Sequence, residues 1–213
     1  MSAVSSAVRP RPAPAHRMPG RPRCDVTHKA VLDAAYALLA EDGIGRFTIE
    51  RVATRSGVAR STIYRWWPTK GALAMEGFLA AVAPEIAVPA SGSAAGDLRE
   101  QVKRFARLLR GTVGRIIRGI IAEGQSDPET IATFVDGFVT PRRAEGGAIL
   151  RRGIESGELR TDLEVDLVLA GLYAPLYVWM LLNESLDDEK VERLTQSVLA
   201  GCMAAQPVAD PVG

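Results

Sequence analysis

The stretch GVARSTIYRWWPTKGAL, residues 57–73, concentrates arginines, hydroxyl side chains and aromatic rings in a short segment. Gly57 suits a tight turn that needs a positive φ, and Pro68 ends the helix that follows, because proline has no amide hydrogen to donate. Ile63 and Trp67 are four residues apart, so they share one helical face and predict packing against neighbouring helices. The remaining side chains of this helix are too polar for a core, and they suit phosphates and base edges.

Helical signals also surround this segment. Apolar residues recur at helical spacing over 27–42, and Gly43 supplies a stop for that first helix. Thr48 is placed to cap a second short helix, because its hydroxyl can accept a hydrogen bond from an otherwise unpaired amide. Thr69 can cap a fourth helix in the same way. Two short helices joined by a glycine turn predict a helix-turn-helix whose second helix reads a DNA major groove.

The segment FTIERVATRSGVARSTIYRWWPTKGAL, residues 47–73, together with the amphipathic helix before it, resembles the DNA-binding domain of the TetR family of transcriptional regulators. The resemblance implies that Thr62 and Tyr64 contact DNA and that Lys70 holds a phosphate at the start of the fourth helix. It places other side chains of the third helix at variable base-reading positions. The predicted DNA-binding residues are Thr48, Arg60, Ser61, Thr62, Tyr64, Arg65, Trp66 and Lys70.

Three positions in or beside the third helix depart from the family pattern. Ala59 stands where a capping serine is common, Ser61 where glycine is frequent, and Trp66 where histidine is typical. These departures leave the operator sequence open, but they do not affect the assignment of the domain.

Charge is divided unevenly along the chain. The 213 residues carry a formal net charge of +1, but residues 1–71 hold 12 Lys and Arg against 5 Asp and Glu, whereas residues 72–213 hold 14 against 20. A basic N-terminal third joined to an acidic remainder predicts that a polyanion binds only at the N-terminal end of the chain. A solvated charged surface is the alternative interpretation of this pattern.

Composition disfavours several classes of protein. Two cysteines, Cys24 and Cys202, are too few for a disulfide framework, which predicts a cytoplasmic protein. No apolar run reaches the roughly 18 residues of a membrane span, so no membrane partner is expected. Both histidines, His16 and His28, lie near the N-terminus, and no nucleotide-binding glycine motif is present. The sequence therefore predicts a protein that is not an enzyme and has no metal site or cofactor.

The chain is predicted to be all-α, with a three-helix DNA-binding domain followed by a larger helical domain. Residues 1–25 are rich in proline and arginine, which predicts a disordered basic arm that either contacts DNA or serves no binding role. Residues 26–72 form the predicted helix-turn-helix domain, and residues 73–205 a domain for effector binding and dimerisation. Residues 206–213 are predicted to be a disordered tail.

Glycines, prolines and capping residues set the predicted helix boundaries of the C-terminal domain. The segment 89–96 is predicted to be a linker, with a helix starting at Asp97. Pro141 is expected to break or kink a helix. Asp162 is expected to cap a long apolar helix that runs to about Asn183.

This long helix is apolar on nearly every side. Because one C-terminal domain covers only one of its faces, the pattern predicts that a second copy of the chain buries the other. The resemblance implies the same homodimer, held by a four-helix interface that includes residues 187–203. A central helix buried within a monomer is the alternative. The predicted dimer-interface residues are Leu163, Leu167, Ala170, Gly171 and Ala174.

The resemblance also implies a small-molecule effector that enters between the middle helices. The predicted pocket residues are Phe105, Leu109, Ile116, Ile120, Phe134, Phe138, Tyr173, Tyr177 and Trp179. Such a lining favours a mostly apolar ligand, aromatic ligands included, oriented by a few polar groups such as tyrosine hydroxyls. Arg115 and Arg118 are candidates for neutralising an acidic ligand. Filling of the core is the alternative role for the apolar residues.

Two functions stay open at this point. The first is a transcriptional repressor that binds a palindromic double-stranded DNA operator and is released from it by a small molecule. The second is an effector-independent dimeric DNA-binding protein whose C-terminal half only dimerises or recruits a partner. The sequence does not separate them, because residues that line a pocket and residues that fill a core have the same composition.

Overall fold

The computed structural model describes residues 21–86 and 91–204, which fold into ten α-helices with no β-strand in those ranges. The helices are α1 Arg21–Asp42, α2 Ile49–Ser56, α3 Arg60–Trp66, α4 Lys70–Ile86, α5 Ala94–Leu109, α6 Thr112–Gly124, α7 Pro128–Phe134, α8 Thr140–Glu155, α9 Val165–Leu181 and α10 Asp188–Ala200. A 3₁₀ turn, Ile44–Arg46, follows α1, and a π-helical segment, Val135–Val139, joins α7 to α8. The predicted all-α fold is confirmed.

The first three helices form the helix-turn-helix unit. Thr48 caps α2, because its Oγ1 accepts a hydrogen bond from the amide of Arg51 at 3.3 Å. Gly57 ends α2 with a φ of 69°, a left-handed conformation that glycine adopts without a Cβ clash. Ile63 and Trp67 are buried in the core beneath α3. The predicted cap, turn and inner face are therefore all present.

The first helix begins earlier than the sequence predicted. α1 starts at Arg21, so the prediction of a non-helical arm through residue 25 is wrong for residues 21–25. Pro22 lies in the first turn of α1, where an amide hydrogen would have no intrahelical partner in any case, so proline is tolerated there. The rest of the predicted arm and the predicted C-terminal tail lie outside the described residues.

Helix α4 connects the two domains and is attached firmly to the N-terminal one. Thr69 caps it as predicted, accepting from an amide of the first turn at 3.1 Å. A Cβ on Gly77 would lie only 2.8 Å from the Cβ of Ala35, so α4 and α1 approach closely. The indole nitrogen of Trp67, at the end of α3, donates to Glu76 of α4 at 2.6 Å. Helix α4 is therefore in direct contact with α1 and with the end of α3.

The helix α5 starts three residues before its predicted position. It begins at Ala94 rather than Asp97, so the predicted linker 89–96 is wrong for its last three residues. Ser93 caps the helix, and Glu158 accepts from two amides of its first turn at 2.7 and 3.0 Å. A carboxylate from a distant part of the chain thus completes the helix start, which local sequence does not reveal.

Two further boundaries also differ from the prediction. Asp162 does not cap α9, because it forms an ion pair with Arg160 at 2.7 Å, and the helix begins after Glu164 instead. Pro141 does not break a helix, since it lies in the first turn of α8, directly after the π-helical segment. The irregularity that proline was expected to cause is therefore located in the five residues before Thr140.

A buried carboxylate ties α5 to α8. Asp97 is 3% exposed, and it accepts from the amide of Ser91 at 2.8 Å and from the guanidinium of Arg152. Burial by itself raises the pKa of Asp97, but the hydrogen bonds from Ser91 and the charge of Arg152 outweigh it and lower the pKa below its usual value. The ionised form is therefore the one that stabilises the fold.

We expect Asp97→Asn to lower the free energy of unfolding by about 1–3 kcal/mol near neutral pH, because charge-assisted hydrogen bonds are lost. Since the folded pKa lies below the unfolded one, this stabilisation is present above the unfolded pKa of about 3.9 and is lost as pH falls through the folded pKa. Urea denaturation at several pH values measures both effects. Asp162→Asn, which affects an exposed pair, is the control, and equal stability of the two variants would contradict the expectation.

Candidate DNA-binding surface and interior cavity

Helix α3 presents a polar face to the outside of the N-terminal domain. Arg60, Ser61, Tyr64 and Arg65 are exposed. Ser61 and Arg65 lie on the side of the helix opposite Ile63, and Arg60 is the first residue of α3. Tyr64 is 48% exposed, and α3 contains no acidic residue. An exposed ring flanked by guanidinium groups suits the phosphates, sugars and base edges of a nucleic acid.

The arginines of α2 and α3 have different roles. Arg51 and Arg55 of α2 each pair with a carboxylate of α1 at 2.5 Å, which holds the two helices together. Arg60 and Arg65 of α3 form no ion pair with any residue in the described part of the chain. Their charge is therefore available to an external anion, and phosphate neutralisation by such side chains contributes most of the affinity in non-specific DNA binding.

Three other predicted contact residues lie around this face. Thr48 and Lys70 are exposed at the N-terminal ends of α2 and α4, and Thr62 is partly buried near the start of α3. Helix N-termini carry a partial positive charge and unpaired amides, both of which favour phosphate. Thr48 and Lys70 are thus placed at helix ends of the kind that favours phosphate.

Trp66 is turned away from the outward face of α3. Its ring lies edge-on to that of Trp67, with centroids 5.5 Å apart, and 5.5 Å from the ring of His28 on α1. Trp66 is partly buried against the core and packs α3 onto α1. The prediction that Trp66 reads bases is not supported by this placement, because its ring is engaged in packing.

A largely apolar cavity of about 260 Å³ lies among α5, α8, α9, the π-helical segment and the end of α4, which contributes Ile86. Four aromatic side chains form part of its wall: Phe105, Phe138, Tyr173 and Tyr177. The hydroxyl of Tyr173 donates to Oε1 of Gln101 at 2.8 Å. Burial raises the pKa of both tyrosines, so they act as neutral hydrogen-bonding groups.

One stripe of α9 faces outward and is not covered by the rest of the described chain. Leu167 is 71% exposed and Val178 is 49% exposed, with Ala170 and Ala174 exposed between them. The opposite stripe is buried and consists of Leu169, Leu172, Leu176 and Met180. A continuous exposed apolar stripe of this kind marks an interaction surface.

Known proteins share both halves of this architecture. Residues 31–76 match the family described as bacterial regulatory proteins, tetR family, and residues 88–198 match the one described as tetracyclin repressor-like, C-terminal domain. The second match alone covers more than half of the sequence. The chain belongs to the TetR family.

Individual relatives agree with this assignment. The uncharacterized HTH-type transcriptional regulator YdeS of Bacillus subtilis is 34% identical over 186 residues, covering 87% of this chain and 94% of that protein. The DNA-binding transcriptional repressor TetR of Mycobacteroides abscessus is 26% identical over 181 residues, with coverage of 83% and 94%. The crystal structure of the TetR family transcription regulator SCO0332 is 34% identical with a TM-score of 0.72, covering 82% of this chain and 97% of that one. This TetR-family chain is a DNA-binding transcription regulator and not an enzyme.

The cavity of this TetR-family protein contains four of the nine predicted pocket residues, namely its four aromatic side chains. Five predicted pocket residues do not line it: Leu109, Ile116, Ile120, Phe134 and Trp179. The first four fill the core, and the ammonium group of Lys190 lies 4.0 Å above the ring of Trp179. Helical periodicity identifies an inward-facing side chain, but it does not tell whether another side chain or a void lies opposite.

Sequence reasoning missed the polar groups of the cavity. Gln101, Arg142 and Arg143 line it, whereas the predicted Arg115 and Arg118 do not. Arg115 bonds within its own helix, and Arg118 binds the C-terminal end of α9. A glutamine on the buried face of an amphipathic helix was a signal that the sequence offered for Gln101. No comparable signal in the sequence distinguished Arg142 and Arg143 of α8 from arginines that face solvent.

The predicted dimer-interface residues are found on or beside the outward stripe of α9. Leu167, Ala170 and Ala174 are exposed on it, Gly171 is partly buried next to it, and Leu163 is partly buried just before the helix. Within the ranges that the structure describes, no helix is long and apolar enough to cross a membrane. The same ranges contain no group of three or more His, Cys, Asp or Glu side chains placed to hold a metal ion.

Proposed function

We propose that this regulator is a homodimeric repressor that binds a palindromic operator through one α3 per half-site and leaves it when a small molecule fills the cavity. The observation that carries the DNA-binding part is the outward face of α3, where Arg60 and Arg65 are exposed without ion-pair partners in the described chain. The sign of regulation rests on the relative from Mycobacteroides abscessus, which is named a DNA-binding transcriptional repressor.

The outward stripe of α9 supports the homodimer. Two copies related by a two-fold axis bury the same stripe against itself, and the small side chains of Ala170 and Ala174 allow the helices to approach closely. Dimerisation fixes the spacing of the two α3 helices, which must match half-sites about one helical turn of DNA apart. Binding of a palindrome thus depends on this stripe.

The wall of the cavity supports a route from ligand to DNA. Phe138 lines the cavity, and its ring lies edge-on to that of Phe78 in α4, with centroids 5.3 Å apart. Beside it, a Cβ on Gly137 would lie 2.9 Å from Cγ of Met75, so the π-helical segment is packed tightly onto α4. Because α4 is bonded to the end of α3, a ligand that moves Phe138 also moves the reading helix. A coupling free energy of about 1–3 kcal/mol would lower operator affinity roughly 5–150-fold.

The cavity favours this function over an effector-independent DNA-binding protein. A domain that served only for dimerisation would be expected to fill its interior with side chains, since unfilled space forfeits packing energy. Here the void is lined by polar as well as aromatic groups, which is typical of a site for an oriented small molecule.

The DNA-binding part is tested by comparing two kinds of substitution in α3 and α4. Arg65→Ala should cost about 1–3 kcal/mol on the preferred operator and relax specificity, because a base-reading side chain is lost. Lys70→Ala should weaken binding about equally on all sequences and reduce the slope of log affinity against log salt by about one, because only a phosphate contact is lost. Fluorescence anisotropy at several salt concentrations, on an operator selected from random duplexes, measures both.

Arg151→Ala provides the matched control, because Arg151 is an exposed arginine of α8 in the C-terminal domain. It should leave operator affinity and salt slope unchanged. A wild-type protein that prefers no selected sequence over random duplex would overturn the proposed function.

A further inference from the structure

The charges that line the cavity are all of one sign. Two guanidinium groups, those of Arg142 and Arg143, border it, and no aspartate, glutamate or lysine is among its lining residues. Nη2 of Arg142 lies 2.6 Å from Oε1 of Glu145 on the same helix. This ion pair engages only part of the five N–H donors of the guanidinium. Arg143 lies 3.9 Å from Asp166, a carboxylate that is 85% exposed, so their attraction is weak. Each guanidinium thus has one carboxylate neighbour outside the lining and keeps N–H donors that this neighbour does not use.

A buried amide supplies a further donor. Gln101 is 9% exposed, and its Oε1 is occupied by the hydroxyl of Tyr173. Its Nε2 has no acceptor among the described residues, although Gln101 lines the cavity. Nε2 is not one of the buried atoms that the described chain leaves unpaired, so it is accessible within the cavity and is free to donate to an oxygen of a ligand. This unpaired amide indicates a ligand with an oxygen acceptor.

The rest of the wall indicates the shape of the ligand. The ring of Phe105 lies 6.2 Å from Phe138, 5.7 Å from Tyr173 and 5.5 Å from Tyr177, measured between centroids. These four rings surround the cavity with faces and edges that favour another aromatic ring in offset or edge-on contact. A volume of about 260 Å³ lies below the usual range of about 300–1,000 Å³ for drug-sized ligands. A space of this size suits one or two fused rings.

We infer that the effector of this regulator is a compact aromatic carboxylate, with its ring among the four aromatic side chains, its carboxylate at Arg142 and Arg143, and an oxygen that accepts from Gln101. The inference rests on the proposed function of the cavity as an effector site. Guanidinium groups bind carboxylates in a forked geometry that a neutral hydroxyl cannot reproduce. An amine of the same shape would place like charges side by side.

Three naphthalene derivatives of similar size test the charge preference on the purified full chain. We expect 2-naphthoate to bind at least about 10-fold more tightly than 2-naphthylmethanol, and 2-naphthylmethylamine to bind most weakly. Isothermal titration calorimetry gives the three affinities. In Arg142→Gln and in Arg143→Gln the preference for the acid over the alcohol should fall several-fold while the affinity for the alcohol stays the same. Arg151→Gln, on the same helix but outside the cavity lining, should retain the full preference.

The experiment distinguishes failure of this inference from failure of the proposed function. Equal binding of acid and alcohol, or binding of none of the three, overturns the ligand class. Release of the operator by the alcohol or the amine but not by the acid would also overturn the ligand class, while the proposed function would stand. Preferential binding of the acid without any change in operator affinity would support the ligand class and count against release by a ligand.

Discussion

Leu167→Glu should convert the proposed dimer into monomers and abolish high-affinity binding of the operator. The two-fold axis would place two introduced carboxylates in one apolar interface, and each buried charge without a partner costs about 3 kcal/mol or more. The total of about 6 kcal/mol corresponds to roughly a 10⁴-fold rise in the dimer dissociation constant. Leu167 suits this test because it is 71% exposed and does not line the cavity, whereas Ala170 belongs to both surfaces.

Light scattering and operator titration measure the two consequences. Leu167→Met keeps the apolar surface and the approximate volume, so it should remain a dimer with unchanged affinity. Val178→Glu, at the other end of the stripe, should repeat the effect of Leu167→Glu. If both glutamate variants kept the mass of a dimer, the outward stripe of α9 would not be the interface.

Gly114→Ala should destabilise the C-terminal domain severely. Gly114 is buried in α6, and a Cβ there would lie 1.9 Å from the carbonyl oxygen of Leu109 and 2.7 Å from its carbonyl carbon. These are backbone atoms at the end of α5, which cannot rotate away as a side chain does, so α5 and α6 must separate. We expect the free energy of unfolding to fall by about 3 kcal/mol or more, and the midpoint of thermal unfolding by about 6–12 °C.

Gly119→Ala is the matched control on the same helix. Nothing lies within 4 Å of a Cβ built on Gly119, so the substitution only improves helix propensity. It should raise the free energy of unfolding by about 0.5–1 kcal/mol. Calorimetry on both variants measures the contrast, and a Gly114→Ala protein as stable as the wild type would show that the close contact between α5 and α6 relaxes easily.

Local chemistry was enough to predict the N-terminal domain. A cap at Thr48, a left-handed turn at Gly57 and a helix end before Pro68 depend on the dihedral angles and hydrogen bonds of a few neighbouring residues. Ile63 and Trp67 added the inner face through their spacing. Such signals act over four residues or fewer, so they are visible in the sequence without knowledge of the rest of the fold.

Where distant residues intervene, the predictions from local signals were wrong or incomplete. The start of α5 depends on Glu158, and Asp162 is withdrawn from capping by Arg160. Trp66 was predicted to read bases because of its position in α3, but its ring packs against His28 of α1. Partners of this kind are chosen by tertiary contacts, and sequence spacing alone does not identify them.

The sequence by itself determined the all-α fold, the helix-turn-helix and the presence of a long helix with two apolar stripes. Only the tertiary structure decided which stripe of α9 is buried, which aromatic side chains border a void, and that Arg142 and Arg143 line it. The physical reason is that a cavity is space left between helices that are far apart in the chain. Its existence depends on how closely their backbones pack, and an apolar residue looks the same in the sequence whether it faces another side chain or a void.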